Sequence, residues 1–229
     1  MKTMGLLAGM SWESSLEYYR IINEETKRIL GGSHSSKCLM YSFDFQEIER
    51  LQNEGNWEEL THQMVFQANN LKVAGADFIV ICTNTMHLMA VDIELGTGLK
   101  VLHIADATGR AIKEKAIKKV ALLGTRFTME GDFYKNVLEK YNIEVIIPGE
   151  EDRKTVHNII YNELILGKIN DVSRQKYVEI INRLASKGAK GVVLGCTEIP
   201  LLIKQKDVEI NVFDTTELHA KEAVKYALE

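Results

Sequence analysis

The sequence predicts an α/β protein of two similar Rossmann-like lobes, each a mostly parallel sheet flanked by helices. Three observations carry this. Short apolar runs alternate with helix-length amphipathic stretches, as in β-α-β proteins. Two of those runs, Ile79-Val80-Ile81 and Val192-Val193-Leu194, stop abruptly in the small polar clusters Cys82-Thr83-Asn84-Thr85 and Gly195-Cys196-Thr197-Glu198, as buried strands do when they deliver side chains at their carboxyl ends. The pattern of the first half then begins again in the second, with Val120-Ala121-Leu122-Leu123-Gly124-Thr125 echoing Met4-Gly5-Leu6-Leu7-Ala8-Gly9.

In order, a strand over 4–8 ends at Gly9-Met10-Ser11. Ser14 and Glu17 then stand in capping-box spacing before a helix that runs to about Leu30 and breaks at Gly31-Gly32. A strand over 38–43 leads to a polar loop, 44–56, which contains Arg50 and Gln52. A helix over 57–73 ends at Gly75, and 77–81 is the next strand. A helix begins near Met86, a strand covers 101–104 and a helix 105–115. The second half predicts strand 120–125, helix 129–141, strand 143–147, helices across 152–166 and 172–187, strand 191–195, strand 210–213 and helix 216–228. Gly5 matches Ala121 at a separation of 116 residues, and Gly75-Ala76 matches Gly188-Ala189 at 113. Such agreement indicates an internal duplication. The expected division is a first lobe of 1–103 plus 209–229 and a second of 104–208. A pseudo-two-fold axis would then turn equivalent strand ends toward one shared cleft. The 113-residue offset pairs Cys196 with Thr83, and because strand side chains alternate faces, Cys82 points away from what Thr83 addresses.

Composition narrows the function classes. With 229 residues, 45% hydrophobic and 26% charged, the chain is a soluble globular protein able to bury a core without staples. A net charge of -4 with no dense Lys/Arg run excludes an electrostatic footprint for nucleic acid. No apolar segment approaches the roughly 20 residues of a membrane span, so no membrane partner is expected, and the location expected is cytoplasmic. Cys38, Cys82 and Cys196 are an odd set without CxxC spacing, which predicts free thiols and no metal site. The glycine loop lacks both GxGxxG and a Walker pattern.

Thr83-Asn84-Thr85-Met86-His87 in the first half and Gly195-Cys196-Thr197-Glu198 in the second, with Gly9-Met10-Ser11 as a first glycine-rich loop, resemble the aspartate/glutamate racemase family. The resemblance covers the whole chain. The Asp-Ser-Gly and Cys-Thr-His motifs of glutamate racemases are absent, so the similarity is to the aspartate racemase branch, with threonine where the family's first cysteine stands. It implies a cofactor-independent isomerase that works without pyridoxal phosphate, a small-molecule amino acid as substrate, and a homodimer. The implied catalytic residues are Thr83 and Cys196. Met10, Gln52, Asn84, Thr85, Thr125 and Thr197 are the substrate-binding candidates.

The chemistry suits such a pair. Inverting an amino acid removes the proton from one face of Cα and returns one to the other, so two acid/base groups must flank one carbon. A thiol ionises near pH 8.5, and a cysteine at a helix start is biased further toward thiolate by unpaired backbone amides. Cys196, followed by a helix-like 199–204, fits that description. Amides at 83–85 and 196–198 are placed to bind a carboxylate. A threonine hydroxyl is a poor base, so the pair is unequal. Acidic amino acids are the first substrate class. Neutral substrates, a related isomerase or decarboxylase chemistry, and an amino-acid-binding homologue without catalysis are the alternatives. A neutral Gln52 favours a dicarboxylate less than an arginine would. Cys38 and Cys82 read as structural; His87 is either a proton carrier or a hydrogen-bonded core histidine. His34, His62, His103, His157 and His219 show no metal-ligand spacing.

Overall fold

The computed structural model describes residues 1–229 and divides into two compact units, Met1–His103 with His219–Glu229, and Ile104–Leu218. The first unit carries strands β1 (Met4–Ala8), β2 (Cys38–Ser42), β3 (Phe78–Ile81) and β4 (Val101–Leu102), all parallel, in the order β2-β1-β3-β4. Its helices are α1 (Trp12–Leu30), α2 (Phe45–Glu54), α3 (Trp57–Val73) and α4 (Ala90–Thr97). The second unit repeats the plan. Strands β5 (Lys119–Gly124), β6 (Glu144–Ile146), β7 (Gly191–Gly195) and β8 (Asn211–Asp214) are parallel in the order β6-β5-β7-β8. They are flanked by α5 (Ile104–Glu114), α6 (Arg126–Glu130), α7 (Asp132–Glu139), α8 (Glu150–Asn162), α9 (Asp171–Ser186) and the short α10 (Ile199–Leu202). Helix α11 (Thr215–Leu228) starts in the second unit and supplies the last segment of the first. No helix is long and apolar enough to cross a membrane.

Strand alternation sorts each core into two layers. In the first unit Leu7, Ile79 and Ile81 pack with Ile48, Leu60 and Met64 of α2 and α3. Leu6, Ala8, Val80 and Cys82 pack on the opposite face with Tyr18 of α1 and Ala220 and Val224 of α11. In the second unit Leu123, Leu194 and Cys196 share a layer with Tyr177 of α9 and Ile199 of α10, and Leu122 and Val193 lie opposite with Ile104 and Tyr134. The register supports the duplication. Leu7 pairs with Ile81 and Leu123 with Leu194, so Thr83 and Cys196 each stand two residues beyond equivalent pairs.

Four expectations change. Residues 44–56 are not a loop: α2 forms there because Asp44 caps its start, accepting from the Gln46 amide at 3.1 Å, and Gly55 ends it with φ of 70°. Its polar composition hides an inward stripe of Ile48, Leu51 and Gln52. The cap of α1 is Ser11, which accepts from the Ser14 amide, and not Ser14. The segment after Thr83 is first a 3₁₀ turn, Thr85–Met89, and only then a helix. Residues 209–218, assigned by sequence to the first lobe, belong to the second unit, because β8 hydrogen-bonds to β7.

One glycine is fixed by close approach. At Gly9, φ is +86° and an added Cβ would fall 2.4 Å from the Phe43 carbonyl and 2.5 Å from its amide nitrogen. That contact closes the β1 end, where the Phe43 amide donates to Ala8 O at 2.9 Å. Gly9→Ala is therefore expected to cost about 2–3 kcal/mol, read as a lower urea midpoint at unchanged m-value.

Candidate active site

In a sheet of order 2-1-3-4 the chain reverses direction between the two central strands, and the groove at their carboxyl ends is where open α/β sheets take ligands. In the first unit that position lies between β1 and β3. Cys82 N–H donates to Leu7 O at 2.9 Å, extending the ladder one step past β3 before the chain turns at Thr83. Thr83 is half-buried, while Asn84 and Thr85 are buried. On the β1 side Gly9 N–H donates to Ser15 Oγ at 2.8 Å, which fixes the glycine-rich loop. Met10 does not offer its side chain: it is 3% exposed and packed in the core with Ile48, Leu51 and Met86. Gln52 is buried, and its amide donates to Met86 Sδ at 3.3 Å, which brings it against the turn that follows Thr83. Arg50 is exposed on α2 and paired with Glu54 at 2.7 Å. The first unit thus gathers Gln52, Thr83, Asn84 and Thr85 at one strand end and leaves Arg50 outside.

In the second unit the switch lies between β5 and β7. Gly124 pairs with Gly195, and an added Cβ on Gly124 would sit 2.6 Å from Gly195 O, so the strands approach here as only glycine permits. Thr125 follows β5 and caps α6, its Oγ1 accepting from the Thr128 amide at 3.3 Å. Cys196 follows β7, and its Sγ donates to Glu198 Oε2 at 2.9 Å; Thr197 Oγ1 donates to the same oxygen at 3.1 Å. All three residues are buried.

The electrostatics overturn one expectation. Cys196 is not biased to thiolate. Burial pushes its pKa well above the ordinary thiol value, and the Glu198 carboxylate adds to that rise as a neighbouring negative charge and as acceptor of the thiol proton. The amides of Thr197 and Glu198 pull the other way and lose. The helix behind them is only four residues long. Glu198 is the side chain at this strand end to which the sequence reading gave no part. It stood in the motif, two residues after the cysteine, but only the turn shows its carboxylate folding back onto sulfur.

Cys82 is wholly buried among Leu6, Val80 and Tyr18, and desolvation drives its pKa far up. Cys38, partly buried, is raised for the same reason. A fully buried thiol such as Cys82 is inert. No cluster of His, Cys, Asp and Glu could hold a metal ion.

A family profile described as Asp/Glu/Hydantoin racemase matches residues 7–223. A broad specificity amino-acid racemase, RacX, of Bacillus subtilis (strain 168) is 24% identical over 227 residues, 96% of each chain. Among solved structures, PH1733 of Pyrococcus horikoshii OT3, an aspartate racemase homologue, superposes with a TM-score of 0.85 at 35% identity over the whole of both chains. A Yersinia pestis protein provisionally described as an Asp/Glu racemase does so with a TM-score of 0.93 at 52% identity, again over both whole chains. With its whole length matched and its two glycine-backed strand ends carrying the polar clusters, the chain belongs to the Asp/Glu/Hydantoin racemase family.

Proposed function

We propose that this chain is a cofactor-independent racemase of acidic amino acids, aspartate and glutamate first, with Cys196 and Thr83 as its two proton-transfer groups. The observation that carries this reading is the buried Cys196 thiol held 2.9 Å from the Glu198 carboxylate at a strand end, at the position of its own sheet that corresponds to Thr83 in the other. A thiol with a proton acceptor attached works in both directions. As acid, Cys196 S–H gives its proton to a Cα carbanion. As base, it passes that proton to Glu198, and the thiolate takes the one on Cα. On the other face Thr83 Oγ1–H supplies its proton to the Cα carbanion and the alkoxide left behind takes one from water; in the reverse direction hydroxide first removes the Oγ1 proton, and the alkoxide then takes the one on Cα. The backbone amides of Asn84 and Thr85, and of Thr197 and Glu198, bind the substrate carboxylate and the charge that grows on it as Cα–H breaks. The mechanism requires both groups to reach one Cα, and the reading includes a homodimer, checked by light scattering.

A second reading, racemisation of neutral amino acids, is favoured by the engagement of Arg50 with Glu54 and by the neutral amide of Gln52 near the turn. RacX, the relative of stated broad specificity, belongs to the same family. Incubation of each enantiomer of every amino acid in deuterated water decides. The expected result is Cα deuteration and inversion of aspartate or glutamate; exchange only with neutral amino acids selects the second reading. Binding with no exchange from any enantiomer would identify an amino-acid-binding protein and sink both. Thr83→Cys is expected to bring the turnover numbers of the two directions closer together, because a thiol replaces a hydroxyl that is far harder to ionise.

A further inference from the structure

The second unit holds a cavity lined by none of the residues proposed for proton transfer or substrate binding. It encloses about 490 Å³ between α6 and the first turns of α8, within the roughly 300–1,000 Å³ of small-molecule sites. Lys154, His157 and Asn158 stand at helical spacing and so present one face of α8 to it. Arg126 comes from α6, directly after its cap Thr125. Glu130, Glu150 and Arg153 complete the lining.

The polar groups of this wall divide by whether the protein answers them. Both carboxylates are answered: Glu130 accepts from Arg153 at 2.8 Å, and Glu150 pairs with Lys154 at 2.9 Å. Lys154 is shared with Glu151 at 3.0 Å, and Arg153 donates also to Pro148 O at 2.9 Å. The Arg126 guanidinium has no carboxylate partner and lies 5.1 Å from the Phe127 ring. The backbone amide of Arg126 donates to His157 Nδ1 at 3.2 Å. An amide only donates, so His157 carries its proton on Nε2. Burial, then the Arg126 charge, hold His157 below the ordinary imidazole pKa, while Glu130 pulls the other way. Its ring is fixed against Tyr161 at a centroid distance of 4.6 Å and against Phe127 at 6.4 Å. Like the Arg126 guanidinium, His157 Nε2–H and the Asn158 side-chain amide meet no acceptor in the protein.

What this wall calls for is an acceptor, and its charges decide which. Arg153 and Lys154 are already neutralised by Glu130, Glu150 and Glu151, which leaves the charge of Arg126. One carboxylate balances that charge and matches the planar fork of an arginine. A phosphate dianion would bring a second negative charge toward Glu130 and Glu150. The volume exceeds what a bare ion fills, so the ligand has an organic body. We propose that this cavity binds a small organic acid through a single carboxylate, held by the Arg126 guanidinium, His157 Nε2–H and the Asn158 amide. The site stands apart from the racemase reading and does not rest on it, since neither Thr83 nor Cys196 belongs to the wall.

Solution NMR of the ¹⁵N-labelled protein tests this, at fixed ionic strength because Arg126 is exposed. The probes are acetate and benzoate, with benzamide as the neutral analogue and inorganic phosphate as the competing anion. Benzoate is expected to shift the Arg126 Nε and His157 Nε2 signals saturably, with a dissociation constant on the order of 1–10 mM. Acetate should do so more weakly, and benzamide should leave both signals in place. Arg126→Gln is expected to weaken benzoate binding, followed at His157, roughly 10-fold. Arg126→Lys, which restores the charge without the fork, should recover only part of that loss. Shifts that do not saturate, equal binding of benzamide, or unchanged affinity in Arg126→Gln overturn the proposal. Phosphate bound as tightly as benzoate overturns the assignment to a carboxylate. Shifts at the Thr197 and Glu198 amides with none at His157 put the anion at the strand end of Cys196 and overturn it as well.

Discussion

Cys196→Ala is expected to lower both inversion and Cα exchange of the preferred amino acid by about 10³- to 10⁴-fold, the upper range of what a positioned acid/base group contributes. The loss should appear in kcat and not in KM. The thiol acts on the reacting proton, while the carboxylate-binding amides of Thr197 and Glu198 remain. Residual exchange is expected to be small because the group left on the other face is the Thr83 hydroxyl, whose conjugate base forms only when something else removes its proton. Cys82→Ala is the control. Its sulfur is sealed in the core with Leu6 and Val80, so that change should lower stability by about 1–2 kcal/mol and leave exchange intact. Retention of exchange by Cys196→Ala, measured by mass spectrometry in deuterated water, would remove the central residue of the mechanism.

Glu198→Gln is expected to act with opposite signs in two assays. The carboxylate raises the Cys196 pKa by its charge and by accepting the thiol proton. A neutral amide removes both effects, so the thiol should ionise at lower pH. Alkylation of Cys196 by iodoacetamide at neutral pH, followed at its own peptide, is therefore expected to become faster. Turnover should move the other way, falling about 10²- to 10³-fold, because glutamine cannot take the thiol proton when Cys196 must act as base. A mere loss of packing would not produce that divergence. Unchanged turnover with faster alkylation would reduce Glu198 to an electrostatic neighbour, and slower alkylation would contradict the charge argument itself. Glu198→Asp, with a shorter arm, should keep a raised thiol pKa and recover part of the rate.

The α/β alternation, the duplication and the equivalent strand-end positions of Thr83 and Cys196 in their two sheets were legible in the sequence because each rests on local or periodic signals. Strands buried on both faces read as apolar runs, and period-two alternation alone places Cys82 in the core layer with Leu6 and Val80, the face opposite to that expected for Thr83. Helix α2 was missed because its stripe of Ile48, Leu51 and Gln52 is short and set among polar residues, so its caps Asp44 and Gly55 looked like loop punctuation. The placement of 209–218 was missed because β8 could have joined either sheet on pattern alone. The choice of β7 as its partner is a long-range pairing. The remaining decisions were tertiary for the same reason. The protonation state of Cys196 depends on how deeply the turn buries it and on where the Glu198 carboxylate swings, and those two effects outweigh the amide field inferred from the local motif. His87, His103 and His219 are scattered along the chain and become one stack only when β4, α11 and the turn after β3 pack together. Side-chain periodicity and chain repetition are written in one dimension; desolvation and charge proximity depend on three-dimensional distance, and only the fold supplies that.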